Sequence, residues 1–309
     1  PLDHDTTYLV HRGAGVSEIA EGLESKGIIS DSRLFRLASR LYMHHDTLKA
    51  GEYAIKAHIS MQEVMDLLRS GKSILYSITF PEGLTVRQMF DLLKADDKLS
   101  GPLPEELPPE GSLMPETYEF TRGTSRQAII DKMEAADRKV VDRIWANRDP
   151  DIPVKNKQDF VTLASIVEKE TGKQGERPLV ASVFMNRLRK GMRLQSDPTV
   201  IYGVFGGEGK PSGRPLYQSD LDKKTPYNTY QINGLPPTPI ANPGKASLKA
   251  VAHPAKTDNL YFVADGTGGH VFAATLKEHN VNVRRWREIQ AAREKQDDTP
   301  KDAGKTDGQ

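Results

Sequence analysis

Two stretches of this chain repeat a pattern that fits a strand turning directly into a helix. In each, an apolar residue precedes a glycine by three positions, and apolar residues follow that glycine at plus six and plus ten. They are Val10, Gly13, Ile19 and Leu23 in the first stretch, and Phe80, Gly83, Met89 and Leu93 in the second. A spacing of four after the glycine is helical, and glycine supplies the turn into it. Between them, Ser60-Met-Gln-Glu-Val-Met-Asp-Leu-Leu68 matches Thr85-Val-Arg-Gln-Met-Phe-Asp-Leu-Leu93 in character, position by position. In each, Ser or Thr reads as the N-cap of a short amphipathic helix. Residues 8–10, 51–55 and 74–80 read as the accompanying strands. The N-terminal part is therefore expected to be a small α+β module that ends between residues 72 and 95.

Residues 102–115, rich in Pro, Gly and Glu, read as a surface connection. Ile129, Ile130, Met133, Val140, Val141 and Ile144 give 125–147 a helical period, which Asp149-Pro-Asp-Ile-Pro153 breaks. Helices are expected at 158–171 and 177–190, with one beginning near Pro198 as one reading of that segment. From 192 to 244 the composition shifts to Gly, Pro, Asn, Tyr and Asp, and loops that long in a compact domain are usually functional or disordered. Residues 253–263 and 270–274 read as late strands around the turn Asp265-Gly-Thr-Gly-Gly269. After Gln290 a Lys-, Asp- and Gly-rich tail is expected to be disordered. The division is 1–72, a connecting α/β region 73–155, a mixed α+β domain 156–290 with long groove-forming loops, and the tail 291–309.

Composition removes several function classes. Lys and Arg number 43 against 42 Asp and Glu, so no polyanion-binding surface is indicated, and no basic stripe interleaved with aromatics suggests nucleic acid. With no cysteine, disulfides and thiolate metal sites are ruled out. The eight histidines form no His-Glu-x-x-His, and His44, His45, His253, His270 and His279 read as ordinary surface or core residues, so neither metal nor cofactor is expected. No apolar run approaches the roughly 18 residues that span a bilayer. The chain opens at Pro1 without methionine, which leaves room for a removed signal or membrane anchor.

Within Phe160-Val-Thr-Leu-Ala-Ser-Ile-Val-Glu-Lys-Glu-Thr-Gly172, the series Phe160, Leu163, Val167 continues to Glu170. On a helical wheel Glu170 lies about 20° from Leu163 and about 60° from Val167, whereas Glu168 lies roughly 160° from Glu170, toward the polar face. A carboxyl on an apolar stripe loses solvation and its pKa rises, as a general acid near neutral pH requires. The alternative is a structural carboxylate that pairs with an arginine or caps a neighbouring helix. Arg187, on the buried face defined by Val180, Val183 and Phe184, either pairs with a carboxylate and joins two helices or positions a group in a cleft. Gln195, Asp197 and Thr199 alternate along what reads as an extended segment and would then face one way; otherwise Ser196-Asp197-Pro198 caps a helix. Tyr227 and Tyr230, with Asn228 and Thr229 between them, suit sugar rings among other ligands, and the rigid turns at 234–237 and 240–244, the latter with Asn242, could wall a groove. Gly-x-Ser-x-Gly is absent, and the 265–269 turn lacks the lysine and following helix of a phosphate loop.

Ala164-Ser-Ile-Val-Glu-Lys-Glu-Thr171, Val183-Phe-Met-Asn-Arg-Leu188, Met192-Arg-Leu-Gln-Ser-Asp-Pro-Thr-Val-Ile-Tyr-Gly203, Tyr227-Asn-Thr-Tyr230, Gly234-Leu-Pro-Pro237 and Ala252-His-Pro-Ala255 together resemble the signature blocks of the endolytic murein transglycosylase family, the MltG or YceG-like proteins. Leu48-Lys-Ala-Gly-Glu-Tyr53 and Met114-Pro-Glu-Thr-Tyr118 fit as well, so the resemblance runs from about residue 8 to 286. It implies a LysM-like N-terminal module and a periplasmic catalytic domain anchored in the bacterial inner membrane by an N-terminal helix outside this sequence. It also implies contact with peptidoglycan glycan strands and with cell-wall synthases, the penicillin-binding proteins. The implied reaction cleaves the β-1,4 bond between N-acetylmuramic acid and N-acetylglucosamine in nascent strands and leaves 1,6-anhydro ends.

By motif, the catalytic glutamate is Glu170. As an acid it would protonate the leaving oxygen, and as a base it would then take the proton from the muramyl C6 hydroxyl. Gln195, Asn228, Tyr227 and Tyr230 would bind acetamido groups, with Thr199 and Asn242 also in the groove. Asp197 is either a structural cap or, in a hydrolytic muramidase, the base. A non-catalytic glycan-binding scaffold for synthases is the reading from outside enzymology.

Overall fold

The computed structural model describes residues 2–42, 47–173 and 175–297; His44 and His45 lie outside them. In chain order the elements are β1 (Thr6–Val10), α1 (Val16–Ser25), α2 (Ser32–Tyr42), β2 (Gly51–Ile55), α3 (Met61–Ser70), β3 (Leu75–Thr79), α4 (Val86–Ala95), β4 (Thr117–Thr121) and α5 (Arg126–Ala146). There follow α6 (Lys157–Glu170), α7 (Arg177–Arg189), α8 (Asp197–Phe205), the short α9 (Gln218–Leu221), α10 (Lys245–Ala252), β5 (Tyr261–Ala264), β6 (His270–Ala273) and α11 (Leu276–Asp297). The fold is mixed α+β, with three two-stranded antiparallel sheets among the described residues. Among those residues no helix is long and apolar enough to cross a membrane.

The chain divides into two compact units, neither continuous in sequence. The first takes the chain up to Phe80, Met89–Glu106 and Glu116–Lys132; the second takes Pro81–Gln88, Leu107–Pro115 and the chain from Met133 onward. The expected boundaries at 72 and 155 therefore do not follow the packing. The reason is that β3 finds its partner only after α4, in β4, with Ile78 opposite Tyr118, so residues 73–155 serve both units.

In the first unit β1 pairs with β2, Tyr8 opposite Tyr53, and α1 to α3 pack around them. Ile19, Leu23, Phe35, Tyr53, Ile55 and Leu68 are fully buried. The repeated pattern does its expected work here, since Val10, Ile19 and Leu23 meet in this core. Gly22 is required at its position, because a Cβ there would collide with the Tyr8 hydroxyl, which donates to the Ile19 carbonyl. Both expected caps are present. Ser60 and Glu63 form a reciprocal capping box, and Thr85 with Gln88 exchange the same pair of bonds at α4.

The second unit is built around α6, in contact with α7, α8 and α10. Three differences from expectation concern its C-terminal part. Residues 253–260 are irregular and only Tyr261–Ala264 is strand, because His253-Pro254 ends α10 and the following segment bonds to α7 side chains instead of to a strand. Helices α10 and α11, and α2 in the first unit, were not read from sequence. α11 runs to Asp297, into the stretch expected as a tail, while residues 298–309 are outside the described chain. The 265–269 segment is a hairpin turn closed by Asp265, which accepts from the Thr267 and Gly269 N–H groups.

Candidate active site

Helix α6 starts at Asn156, whose side chain accepts from Asp159 N, and ends at Glu170. Every residue from Phe160 to Val167 is buried, so the apolar stripe of the wheel is not a face; the helix is enclosed on all sides for two turns. Beyond Val167 the chain emerges, and the two glutamates separate. The Glu168 side chain is only 4% exposed, paired at 2.9 Å with Arg177 and bonded by Gly244 N at 2.8 Å. This corrects the placement of Glu168 toward the polar face. Arg177, which also donates to Ser247, supplies the charge that makes the burial tolerable. Glu168 is thus committed to structure.

Glu170 is half-buried and keeps an edge open. Its Oε1 accepts from the Ser196 hydroxyl at 2.5 Å. Burial pushes its carboxyl up to about 7; the Ser196 bond opposes this, the Asp197 charge adds to it, and the Arg187 charge opposes it. Its place in the last turn of α6, at the negative end of the helix dipole, acts in the same direction as burial. A carboxyl in this state can release and recover a proton near neutral pH.

The loop carrying Ser196 is fixed from below. Gln195 holds a left-handed φ of 54°, a conformation that costs an L residue on the order of 1 kcal/mol. Two groups hold it there. Thr229 accepts from Gln195 N through its carbonyl at 3.1 Å and from Ser196 N through its hydroxyl at 2.9 Å. Arg187 donates to the carbonyls of Arg193, Leu194 and Leu260 at 3.1, 2.9 and 2.6 Å and to Gln195 Oε1 at 3.2 Å. Arg187 therefore binds carbonyls, with no carboxylate within ion-pair distance among the described residues, which corrects the helix-joining salt bridge and favours the positioning role. Ser196 sits at the N-cap of α8 yet makes no capping bond, because its hydroxyl is turned to Glu170. Sequence reasoning saw Ser196 only as a cap; the cap position was legible, the diversion was not.

Asp197 opens α8 and is exposed, and the Tyr230 hydroxyl donates to it at 2.7 Å. Burial, followed by the Asp197 contact, pushes the Tyr230 hydroxyl up, so it remains a donor. Glu170, Arg187, Gln195, Ser196, Asp197 and Tyr230 thus form one connected group. The proposed alternation of Gln195, Asp197 and Thr199 fails, because Asp197 already begins a helix. Thr199 is fully buried and bonded to Ser196 O and Thr229.

Asn228 and Asn242 are likewise fully buried. The amide of Asn228 donates to Leu221 O and Lys223 O, and its oxygen accepts from Tyr230 N. Asn242 bonds Leu84 O, Leu113 N and Glu110. Both shape loops, with their side chains buried and bonded within the protein. Tyr227 belongs to a second group: its hydroxyl meets Thr238 at 2.7 Å and its ring lies 4.9 Å from that of Tyr202, which donates to Glu110 at 3.1 Å. Burial raises the Glu110 carboxyl against its hydrogen bonds from Val86 N, Tyr202 and Asn242.

Three of the histidines are engaged in pairs: His253 with Asp149, His270 with Glu176, and His279 stacked on Tyr261. Among the described residues no group of three or more His, Asp or Glu could hold a metal ion.

A sequence model of the YceG-like family matches residues 8–285. The chain is 33% identical over 318 residues to the endolytic murein transglycosylase of Bacillus subtilis (strain 168), covering 91% of this chain and 85% of that protein. It is 30% identical over 335 residues to the endolytic murein transglycosylase of Streptococcus pneumoniae serotype 2 (strain D39 / NCTC 7466), covering 92% of this chain but 59% of that protein. The crystal structure of a putative YceG-like protein from Listeria monocytogenes superposes with a TM-score of 0.55 at 31% identity, over 90% of this chain and 99% of that one.

Proposed function

The chain belongs to the YceG-like family, and from that premise we propose that it is a peptidoglycan lytic transglycosylase with Glu170 as its acid and base. The observation that carries the reading is the state of Glu170: a carboxyl pushed up to about 7, bonded by Ser196, at the open end of a buried helix. Relatives named endolytic murein transglycosylase at 33% and 30% identity support the substrate class.

Protonated Glu170 donates to the departing glycosidic oxygen as an oxocarbenium-like centre develops. The resulting carboxylate accepts the proton of the muramyl C6 hydroxyl, whose oxygen bonds to C1 of the same ring and closes the 1,6-anhydro end. An intramolecular nucleophile needs no water-positioning carboxylate. Asp197, held by Tyr230, then serves as a fixed negative charge beside the cationic centre. Gln195, Tyr230 and Tyr227 are the named residues left to contact sugar.

Mass spectrometry of digested sacculi tests this. Anhydro-muramyl products from the wild type and none from Glu170→Gln are expected; products roughly 18 Da heavier, one water, would assign hydrolysis with Asp197 as base. Binding of sacculi without any cleavage would leave the scaffold reading.

The order β1–α1–α2–β2 with its antiparallel pair supports reading residues 1–72 as a LysM-like module. Sedimentation with sacculi of a chain lacking that module, against the intact chain, tests whether it holds glycan. By family, the working site is the periplasmic face of the bacterial inner membrane, beside penicillin-binding synthases. In-cell crosslinking that recovers no synthase would remove that partner.

A further inference from the structure

In the first unit, α2 (Ser32–Tyr42) is held by one face and leaves an apolar stripe uncovered on the other. Its inner side is Ser32, Phe35 and Ser39, with Phe35 fully buried and the Ser39 hydroxyl bonded to Met65 Sδ. On the far side Leu34, Leu37 and Leu41 are 55%, 55% and 60% exposed, and Tyr42 beside them is 74% exposed. The three leucines recur at i, i+3 and i+7, which puts them within an arc of about 60°. A second row at the same spacing, Arg33, Arg36 and Arg40, flanks the leucines on one side. None of these arginines has an ion-pair partner among the described residues. The helix itself holds no acid; Asp31, just before it, accepts from Arg33 N and Leu34 N and caps it.

A continuous row of leucines leaves apolar area in water at a cost that no other described residue of the unit offsets. The charges beside it are of one sign, so the complementary surface is apolar and anionic along one helix length. A lipid interface with acidic headgroups has both properties: leucines enter the acyl boundary while guanidinium groups meet phosphate. A protein groove would need its own acids matched to all three guanidinium groups along one helix length, whereas an acidic lipid surface supplies them at any register.

We propose that α2 is an interfacial helix that seats this unit on an anionic lipid surface. This goes beyond the catalytic reading and does not depend on it.

The test is co-sedimentation of the whole chain with vesicles of phosphatidylcholine alone or mixed with phosphatidylglycerol. Binding to the mixed vesicles, weakened by salt, is expected. Arg33→Gln/Arg36→Gln/Arg40→Gln should bind about a hundredfold more weakly, at about 1 kcal/mol per arginine. Leu34→Ser/Leu37→Ser/Leu41→Ser should not bind, with glycan cleavage in solution unchanged and melting temperature lowered only by the few degrees that three weaker helix formers on a half-exposed face cost. Equal binding to both vesicle types, wild-type levels of binding by the leucine variant, or no binding by the wild type would overturn the proposal. So would a concentration-dependent dimer of the wild type that the leucine variant dissolves, which would assign the stripe to a second copy of the chain.

Discussion

At Glu170 two opposed influences meet on one carboxyl: burial and the Asp197 charge raise its pKa, while Ser196 and Arg187 lower it. The Ser196 hydroxyl favours the charged form, so Ser196→Ala should move the alkaline limb of the cleavage pH profile, where protonated Glu170 is lost, to higher pH; it should also lower the plateau rate by about tenfold, the equivalent of one hydrogen bond to the carboxylate that forms as the proton leaves. A profile unchanged in position would separate Ser196 from the acid. Glu168→Gln should behave in the opposite way. It takes from buried Arg177 the closer of its two carboxylates and leaves Glu82 at 3.7 Å, so stability should fall by about 2 kcal/mol in urea titration while the folded fraction still cleaves. At this scale the sequence separated the two glutamates correctly but gave the wrong reason. A helical wheel knows only its own helix; Arg177 and Gly244, which bury Glu168, come from other elements.

The elements that hold the site were legible where periodicity is local. Residues 125–147, 158–171 and 177–190 fall within a residue or so of α5, α6 and α7, and the Ser60 and Thr85 caps are where Ser or Thr precedes an apolar run. The loop from Met192 to Asp197 was not legible, because its shape comes from Thr229, distant in sequence, and from an Arg187 side chain itself oriented by the distant Leu260 carbonyl. Arg187→Lys keeps the charge but loses the fork that reaches four oxygens. It should release the left-handed Gln195, with kcat falling more than KM rises and about 2 to 4 kcal/mol of stability lost. Unchanged steady-state kinetics in that variant would show the loop to be self-supporting. Ser60→Ala, which breaks a capping box remote from α6, should cost about 1 kcal/mol and leave kinetics alone.

Over the whole molecule, buried acids set how stability follows pH. Burial pushes Glu170 from its ordinary 4.5, and Asp137 from its ordinary 3.8, up to about 7. Raised acids bind more protons folded than unfolded, so stability declines as pH rises from those ordinary values to about 7 and is level beyond, by a few kcal/mol for each acid at about 1.4 kcal/mol per unit. Asp265 is pulled down to about 2 by the Thr267 N–H; its contribution is present above 3.8 and lost as pH falls toward 2. His279, lowered by burial, opposes the trend modestly by costing stability below 6.5. Urea midpoints should therefore peak near pH 4 and fall by pH 8. Glu170→Gln and Asp137→Asn should each flatten that fall, the first with loss of cleavage and the second without. Equal midpoints at pH 5 and 8 in the wild type would refute it.

By itself the sequence determined the α+β class, the capped helices and the family, and it singled out Glu170 from Glu168, because local period and ordered motifs are properties of neighbouring residues. Only the tertiary structure decided that Ser196 bonds Glu170, that Arg187 serves carbonyls, and that Thr199, Asn228 and Asn242 are interior. Those outcomes depend on which distant groups exclude water from a side chain, and no spacing along the chain records that.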